Sequence, residues 1–413
     1  MKSLSYNKKL DTKFVMNLNN YLQKSKIKYN QIRNQSIFES DLFKEYRKGV
    51  KEANNDIWFL LALSIGCIER IYYITQPIKY DESFTFINFV NQANPFRLFW
   101  YGSSNNHLLN TLLIKLSTFI FGKNLISIRL PSLLVGIACI YMIYILCKQL
   151  GQSGRFAAFA IATCPYLISY STNGRGYSLI VFFTILMISV SLKIINDSLK
   201  PNIYYFSLFA SLGLFSIPTM LFPILGIYIW LINSLIIDKK SFNSIFKQLL
   251  LPSILLTTVI TSILYIPTFI TSKGLGGGSK EVQSLILKFD DFIAQIIPNY
   301  IYIFKSLSGS IPLSIMLLFS LLFILGLIKV FRINLNFILL LPSFLFASLI
   351  IILIMKFIPY DRTMIYLIPV FIVISDYGFT SISSTSNKFI YRISLISLIT
   401  SALITCQYTF KSD

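Results

Sequence analysis

The sequence has little charge, few acidic residues and a single histidine. Charged residues make up 13% of its 413 residues, whereas about 25% is usual for a soluble domain. Hydrophobic residues make up 54%, and they are concentrated in long runs. This composition excludes an ordinary soluble domain and predicts a polytopic membrane protein.

Acidic residues are outnumbered by basic ones, 17 against 37, which gives a net charge of +20. The basic residues lie mostly in short segments between apolar runs, which is how topology signals are distributed in membrane proteins. We therefore expect membrane lipids and no nucleic acid as partners. The five cysteines lie in apolar runs without CxxC spacing, so they indicate neither a metal site nor a disulfide framework.

No apolar signal-peptide segment occurs in residues 1–56. This stretch holds twelve Lys and Arg against six acidic residues, and we interpret it as a basic cytoplasmic tail. It contains either a surface helix that lies on anionic lipid or a solvated extension.

The apolar run 107–121 decides the topology. It is short for a hydrocarbon core of about 30 Å, which takes about twenty residues, and it carries Lys115. If it crossed the membrane, Lys148, Arg155 and the Lys239–Lys240 pair would face outward, against the positive-inside rule. We therefore predict that it lies flat at the outer surface.

These considerations predict an all-α polytopic membrane protein of about eleven transmembrane helices, with an outer loop that carries interfacial helices. The predicted spans are 57–74, 127–147, 155–172, 176–195, 203–216, 219–237, 248–271, 310–330, 336–357, 360–378 and 390–408. The predicted domains are the tail 1–56, a transmembrane domain 57–408 and a short C-terminal tail 409–413. Within the transmembrane domain, 79–127 is an outer catalytic loop and 272–309 a second outer loop.

Asp81 and Glu82 follow the first span directly, where charge near lipid is costly and marks a functional site by default. Either carboxylate could act as a general base, or the pair could help to bind a divalent ion. The alternative is an ordinary solvated loop pair.

His107 and the preceding Asn106 open the predicted surface helix, and they are candidates for hydrogen bonds to a phosphate or a sugar hydroxyl. No cofactor is required by the sequence. The sequence leaves open whether a divalent cation binds, with Asp81, Glu82 and His107 as its candidate ligands.

Two outward-facing turns carry arginine. Arg175 stands between two glycines with Tyr177 beside it, a pattern that favours bidentate phosphate recognition and stacking on a sugar. Arg362, with Lys356 nearby in sequence, could form a second phosphate clamp. The structural alternative for Arg175 is a side chain that snorkels to the membrane interface. For Arg362 it is a local ion pair with Asp361.

These motifs together resemble C-type membrane glycosyltransferases, in particular the protein-mannosyltransferase-like bacterial branch that includes the aminoarabinose-lipid A transferases. The resemblance covers about residues 57–180 and returns near Arg362. The motifs that carry it occur in the family's order: Tyr80-Asp81-Glu82-Ser83-Phe84, Asn105-Asn106-His107, Phe121-Gly122, Arg129-Leu130-Pro131-Ser132, Ser171-Thr172-Asn173-Gly174-Arg175-Gly176-Tyr177 and Tyr360-Asp361-Arg362.

The resemblance implies inverting transfer of a sugar from a polyprenyl-phosphate donor to a lipid, glycan or protein acceptor on the outer face of a bacterial plasma membrane. Asp81 matches the family's essential loop aspartate, and Arg175 and Tyr177 match its polar turn. The chain departs from the pattern at His107-Leu108-Leu109, where many members have His-Pro-Pro. It also lacks the second acid that some members place near Arg175.

Two other classes of protein remain as alternatives. A transporter or flippase of lipid-linked sugars predicts ionisable groups in the middle of the spans and movement of the substrate without bond cleavage. A membrane scaffold predicts tolerance of substitutions at Asp81 and His107.

Overall fold

The structure, a computed structural model, describes residues 41–101, 103–196, 199–272, 289–308, 313–356 and 359–383. Within these ranges the chain is helical and contains no β-strand. The chain divides into two compact units, residues 1–48 and 49–413. Only residues 41–48 of the first unit are described, and they form the beginning of a helix.

The helices are numbered in chain order. Their bounds are α1 Asp41–Asn54, α2 Ile57–Tyr73, α3 Tyr80–Thr85, α4 Leu108–Phe121, α5 Leu125–Gln149, α6 Arg155–Thr163, α7 Pro165–Ser171, α8 Tyr177–Asn196, α9 Leu199–Ser216, α10 Leu221–Ile237, α11 Phe242–Ile245, α12 Leu251–Ser272, α13 Phe289–Ser308, α14 Leu313–Ile333, α15 Leu335–Ile338, α16 Leu340–Met355 and α17 Leu367–Ser383. Short π-helical turns follow α3 and α11, at Phe86–Val90 and Phe246–Leu250, and 3₁₀ turns lie at Pro95–Phe99, Pro218–Met220 and Asp361–Met364.

Six of the predicted spans coincide with helical segments that are long and apolar enough to cross a membrane, which confirms an all-α polytopic membrane protein. These segments are Leu125–Gln149, Tyr177–Asn196, Pro218–Ile237, Phe242–Ser272, Leu313–Ile333 and Leu335–Met355. The first predicted span forms α2, which has 17 residues. The predicted span 390–408, residues 1–40 of the predicted tail 1–56 and the predicted tail 409–413 lie outside the described residues.

Two predicted segments differ from the structure. The span 155–172 is broken into α6 and α7 at Cys164, because Pro165 has no N–H and its ring disfavours a helical residue before it. The predicted outer loop 272–309 contains the 20-residue helix α13, whose apolar positions recur at helical spacing.

Helix α4 has an apolar face and a polar face. Phe119 and Ile120 are exposed, whereas Asn110 and Thr111 are buried. With 14 residues the helix is shorter than the about twenty needed to cross a bilayer. A helix that lies flat at the membrane surface remains our prediction for it.

Helix α8 lies at the centre of the bundle and packs against α5, α9 and α10. Most of its side chains are buried. The turn that carries Arg175 therefore leads directly into a rigid, buried helix that begins at Tyr177.

The N-terminus of α6 is capped by a carboxylate from α17. The buried side chain of Asp376 accepts hydrogen bonds from the backbone amides of Gly154 and Ala157, at 3.0 and 3.1 Å. These amides belong to the first turn of a helix, which has no intrahelical acceptors for them and carries a partial positive charge. The buried charge of Asp376 is thus compensated by a helix end.

We expect Asp376→Ala to lower the free energy of unfolding by about 1–3 kcal/mol, because buried amides lose their acceptor. Asp376→Asn keeps one carbonyl oxygen as an acceptor, so its free energy of unfolding should lie between those of the wild type and of Asp376→Ala. Thermal unfolding of the purified protein in detergent measures the effect, with exposed Asp238→Ala as the control. Equal unfolding temperatures for the Asp376→Ala and Asp238→Ala variants would contradict this role.

Candidate active site

A buried ion pair connects the loop after α2 to the bundle. Both oxygens of Glu82 bind the guanidinium of Arg129 on α5, with Nε to Oε1 at 2.9 Å and Nη2 to Oε2 at 2.6 Å. Neither side chain is exposed. The carboxylate also accepts the amides of Gly174, at 2.5 Å, and Lys79, at 2.9 Å. Glu82 therefore joins α3, α5 and the turn before α8.

This arrangement assigns Glu82 a structural role in place of the catalytic role that we predicted, because its oxygens already bind Arg129 and two backbone amides. Asp81 and Glu82 are adjacent on α3, so their side chains diverge by about 100° around the helix axis. Glu82 points into the bundle and Asp81 points toward the other site residues.

Arg129 was quoted in a family motif but had no predicted role. Its remaining N–H groups donate to the carbonyl oxygens of Ile74 and Gln76, at 2.8 and 2.7 Å, and of Pro77, at 3.1 Å. Together with the two bonds to Glu82, these contacts use all five guanidinium donors. The sequence signal that could have predicted a role for Arg129 is its position in an apolar helix, because a charge there requires a partner.

Asp81 lies between two arginines that are distant in sequence. Its Oδ2 atom is 3.7 Å from Arg175 Nη2 and 3.5 Å from Arg362 Nη1, and Asn105 Nδ2 approaches Oδ1 at 3.4 Å. The Asp81 side chain is 32% exposed. The neighbouring carboxylate of Asp361 accepts hydrogen bonds from Ser306 and from the backbone amide of Arg362. Around Asp81 itself, two guanidinium groups face one carboxylate, and the excess positive charge suits an anionic ligand.

Arg175 is buried and is oriented mainly by neutral acceptors. Its Nη1 donates to the carbonyl oxygen of Asn105 and its Nη2 to the side-chain oxygen of the same residue, both at 3.1 Å. Thr85 Oγ1 lies 3.5 Å from Nη1. Within the described part of the chain, the buried Nε has no hydrogen-bond partner. The guanidinium is thus fixed in position while its charge is only partly compensated by Asp81.

His107 is buried and neutral. Its Nδ1 accepts the amide of Gly176 at 2.9 Å, and its Nε2 lies 3.2 Å from Arg175 Nη2. Burial, together with the charges of Arg175 and Arg362, holds the pKa of His107 well below its usual 6.5. The ring therefore fixes the glycine-flanked turn through an acceptor nitrogen.

Asn106 does not turn toward this cluster. Its Nδ2 donates to the carbonyl oxygens of Leu98 and Trp100, both at 2.9 Å, and its Oδ1 accepts Thr111 Oγ1 at 2.8 Å. This corrects our prediction that Asn106 contacts substrate, because its amide is used to fold the loop. The neighbouring Asn105 makes the site contacts instead.

Tyr177 lies beside His107 and Arg175, and its contact with substrate stays a prediction. Its ring packs edge-on against His107, with centroids 5.1 Å apart, and against Tyr170 of α7, at 4.8 Å. The guanidinium carbon of Arg175 lies 5.8 Å from its ring centroid. Tyr177 therefore supports both the histidine and the arginine of the site, and Tyr170 is a neighbour that we did not predict.

Arg362 lies beside Asp81 in the candidate site, and Lys356 lies at the end of α16. The Arg362 side chain is 33% exposed, and its guanidinium carbon lies 4.8 Å from the ring centroid of Tyr360. Lys356 ends α16 with φ 49° and is exposed. Lys356, Arg175 and Arg362 are all cations and repel one another, so only a shared anion could bring them together. The part of Lys356 in a phosphate clamp therefore stays a prediction.

The three candidate metal ligands do not converge. Glu82 is bound by Arg129 in the bundle. His107 Nδ1 accepts the Gly176 amide, so in the neutral ring Nε2 carries the proton and has no lone pair for a metal. A divalent ion there would compete with two guanidinium groups for Asp81. Among the described residues this donor set does not fit a metal site.

Comparison with known families agrees with the resemblance described above. Residues 108–266 match the model of the family described as dolichyl-phosphate-mannose-protein mannosyltransferase. The matched segment includes Arg129 and Arg175, whereas Asp81 precedes it and Arg362 follows it. No curated protein matches the chain. The family match supports a C-type membrane glycosyltransferase of the protein-mannosyltransferase-like branch.

We expect Glu82→Ala and Arg129→Ala each to lower the free energy of unfolding by about 3–5 kcal/mol, because each leaves a buried charge without its partner. The double variant should lose less than the two single losses together, with a coupling of about 1–3 kcal/mol. Chemical unfolding in detergent measures this cycle. Arg155→Ala is the control, since that side chain is 30% exposed and pairs with Asp56; a loss as large as that of Arg129→Ala would contradict the special role of the buried pair.

The neutral state of His107 predicts a pH dependence. Above pH 6.5 the imidazole is neutral in the folded and unfolded states and contributes nothing. As the pH falls below 6.5, the unfolded chain binds a proton that the folded chain rejects, so stability falls by up to about 1.4 kcal/mol per pH unit until the depressed pKa is reached.

His107→Asn tests this expectation, because the amide oxygen can replace Nδ1 as the acceptor for Gly176 without binding a proton. His107 is the only histidine in the chain, so no other imidazole contributes to the slope. Unfolding measured between about pH 7.5 and about pH 5.5, on either side of the ordinary histidine pKa, should be less pH-dependent in the variant. Identical slopes in the two proteins would contradict a neutral, buried imidazole.

Proposed function

From the family match, which supports a membrane glycosyltransferase with a polyprenyl-phosphate sugar donor, we propose that the chain transfers a sugar from such a donor to an acceptor on the outer face of the membrane. The reaction inverts the configuration of the sugar. Asp81 is the base or acceptor-orienting carboxylate, and Arg175 and Arg362 bind the donor phosphate.

The observation that carries this proposal is the position of Asp81 between Arg175 and Arg362, at 3.7 and 3.5 Å. Ion pairs at a membrane surface are common, but two arginines that converge on one partly exposed carboxylate leave excess positive charge beside a candidate base. A sugar phosphodiester requires both features, since its phosphate is an anion and its acceptor must lose a proton.

The two arginines have different roles in this mechanism. Arg175 is fixed by Asn105 and is buried, so it provides a preorganised positive charge. Arg362 is one third exposed and can turn from Asp81 to an incoming phosphate. Both charges stabilise the negative charge that develops on the polyprenyl phosphate as the sugar leaves.

The acceptor approaches the face of the sugar opposite the phosphate. Its hydroxyl or amine forms the new bond to the anomeric carbon while the bond to the phosphate oxygen breaks. The phosphate leaves with that electron pair, and the acceptor proton passes to Asp81. One displacement of this kind inverts the anomeric centre.

An outward orientation is supported by the distribution of charge along two helices. Helices α5 and α8 have Arg129 and Tyr177 near their first turns, at the site. Their last turns carry Lys148 and Lys193. By the positive-inside rule this distribution favours lysines in the cytoplasm and a site at the outer face, in what we propose is a bacterial plasma membrane.

We expect Asp81→Asn to lower the rate of sugar release by about 10²–10⁴-fold through loss of the base. Arg175→Ala should lower it by about 10²–10³-fold through loss of charge stabilisation. The assay uses membranes that contain each variant and a panel of labelled polyprenyl-phosphate hexoses and pentoses. Exposed Asp238→Asn and Arg332→Ala are the matched controls.

Unchanged turnover in both site variants would refute the proposed mechanism. Movement of an intact donor across sealed vesicles, without cleavage of the sugar–phosphate bond, would identify the alternative flippase function. The buried Asp376 argues against a transport path through its part of the bundle, because its carboxylate caps α6.

A further inference from the structure

The C-terminus of α6 is completed by an arginine from α2. Pro165 has no N–H group, so the carbonyl oxygen of Ile161 lacks its helical donor. Arg70 Nη2 donates to that oxygen at 3.3 Å, and Arg70 Nη1 donates to the carbonyl oxygen of Ala162 at 2.7 Å. A cation at a helix C-terminus also complements the helix dipole.

The surrounding residues make room for this guanidinium. Arg70 is buried, and Nη1 also donates to the carbonyl oxygen of Gly66 in its own helix at 3.0 Å. A Cβ atom on Gly66 would lie 3.2 Å from Nη1, and one on Gly136 would lie 3.3 Å from Nε. Larger residues at these two positions would first collide with Ala162, Ile140 and Ser171, and they would also crowd the guanidinium that replaces the missing donor.

The end of α6 is connected to the site through α7. Helix α7 begins at Pro165 and ends at Ser171, shortly before Arg175. Its Tyr170 packs against Tyr177, and the carbonyl oxygen of Tyr170 accepts Ser178 Oγ at 2.9 Å. The direction in which α7 leaves α6 thus contributes to the position of the turn that carries Arg175, which Glu82 and His107 also hold.

We propose that Arg70 is a positioning residue for the transfer reaction, because it fixes the break between α6 and α7 and so contributes to the position of Arg175. The expected effect of Arg70 on turnover rests on the proposed function. Its effect on the Arg175 turn is measurable without substrate. This positioning role would explain why α2 contains the buried charge of Arg70, although a charge in a membrane helix is energetically costly.

The test compares Arg70→Met, Arg70→Lys, Pro165→Ala and the double variant R70M/P165A, with exposed Arg332→Met as the control. Arg70→Met should lower kcat per folded molecule by about 100-fold, as expected for a displaced catalytic group. Arg70→Lys should recover part of this loss, since its ammonium can still reach a carbonyl oxygen. Unchanged kcat in Arg70→Met would overturn the proposal.

The double variant separates positioning from stability. Pro165→Ala restores an N–H for Ile161, so R70M/P165A should regain thermal stability but not kcat, because the break itself has been altered. Recovery of both would overturn the proposal and leave Arg70 a purely stabilising residue.

Hydrogen exchange provides a readout that does not depend on the donor. In Arg70→Met the amides of Gly174 and Gly176 should exchange at least about tenfold faster than in the wild type, because the turn opens more readily, and in Arg332→Met they should not. Unchanged exchange in Arg70→Met would overturn the inference. Absence of sugar release by the wild-type protein, with faster exchange in Arg70→Met, would refute the proposed function and leave the positioning role intact.

Discussion

The ion pair between Glu82 and Arg129 is the contact on which the rest of the site depends. A buried charge pair is stable only when its geometry and its additional hydrogen bonds compensate for lost solvation. Here the guanidinium uses all five donors and the carboxylate accepts two backbone amides. The pair therefore fixes the loop after α2, the beginning of α5 and the turn before α8 in one arrangement, with Asp81 directed toward the arginines.

The same constraint explains the charges that lie deeper in the bundle. Asp376 receives the amides at the N-terminus of α6, and Arg70 donates to the carbonyl oxygens at its C-terminus. Both placements agree with the sign of the helix dipole. A nine-residue helix that ends before a proline is thus stabilised from two other helices, and its bent connection to α7 is maintained.

The site itself combines fixed and movable charges. Arg175 is oriented by Asn105, and the neutral His107 holds the turn behind it. Arg362 and Asp81 are each about one third exposed, so a ligand can reach both side chains. This division suits the proposed transfer, in which a preorganised positive charge stabilises the departing phosphate.

The sequence by itself determined the membrane class and six spans, because hydropathy is a local signal. Local polar motifs also singled out Asp81, Arg175, Tyr177 and Arg362, whose functional roles stay predictions. Only the tertiary structure decided which neighbours face the site. Glu82 and Asn106 were expected there, but they fold the loop, whereas Asn105 and Arg129 acquire roles. Adjacent residues point in different directions, and long-range partners such as Arg362 for Asp81 are fixed by packing, which no local pattern records.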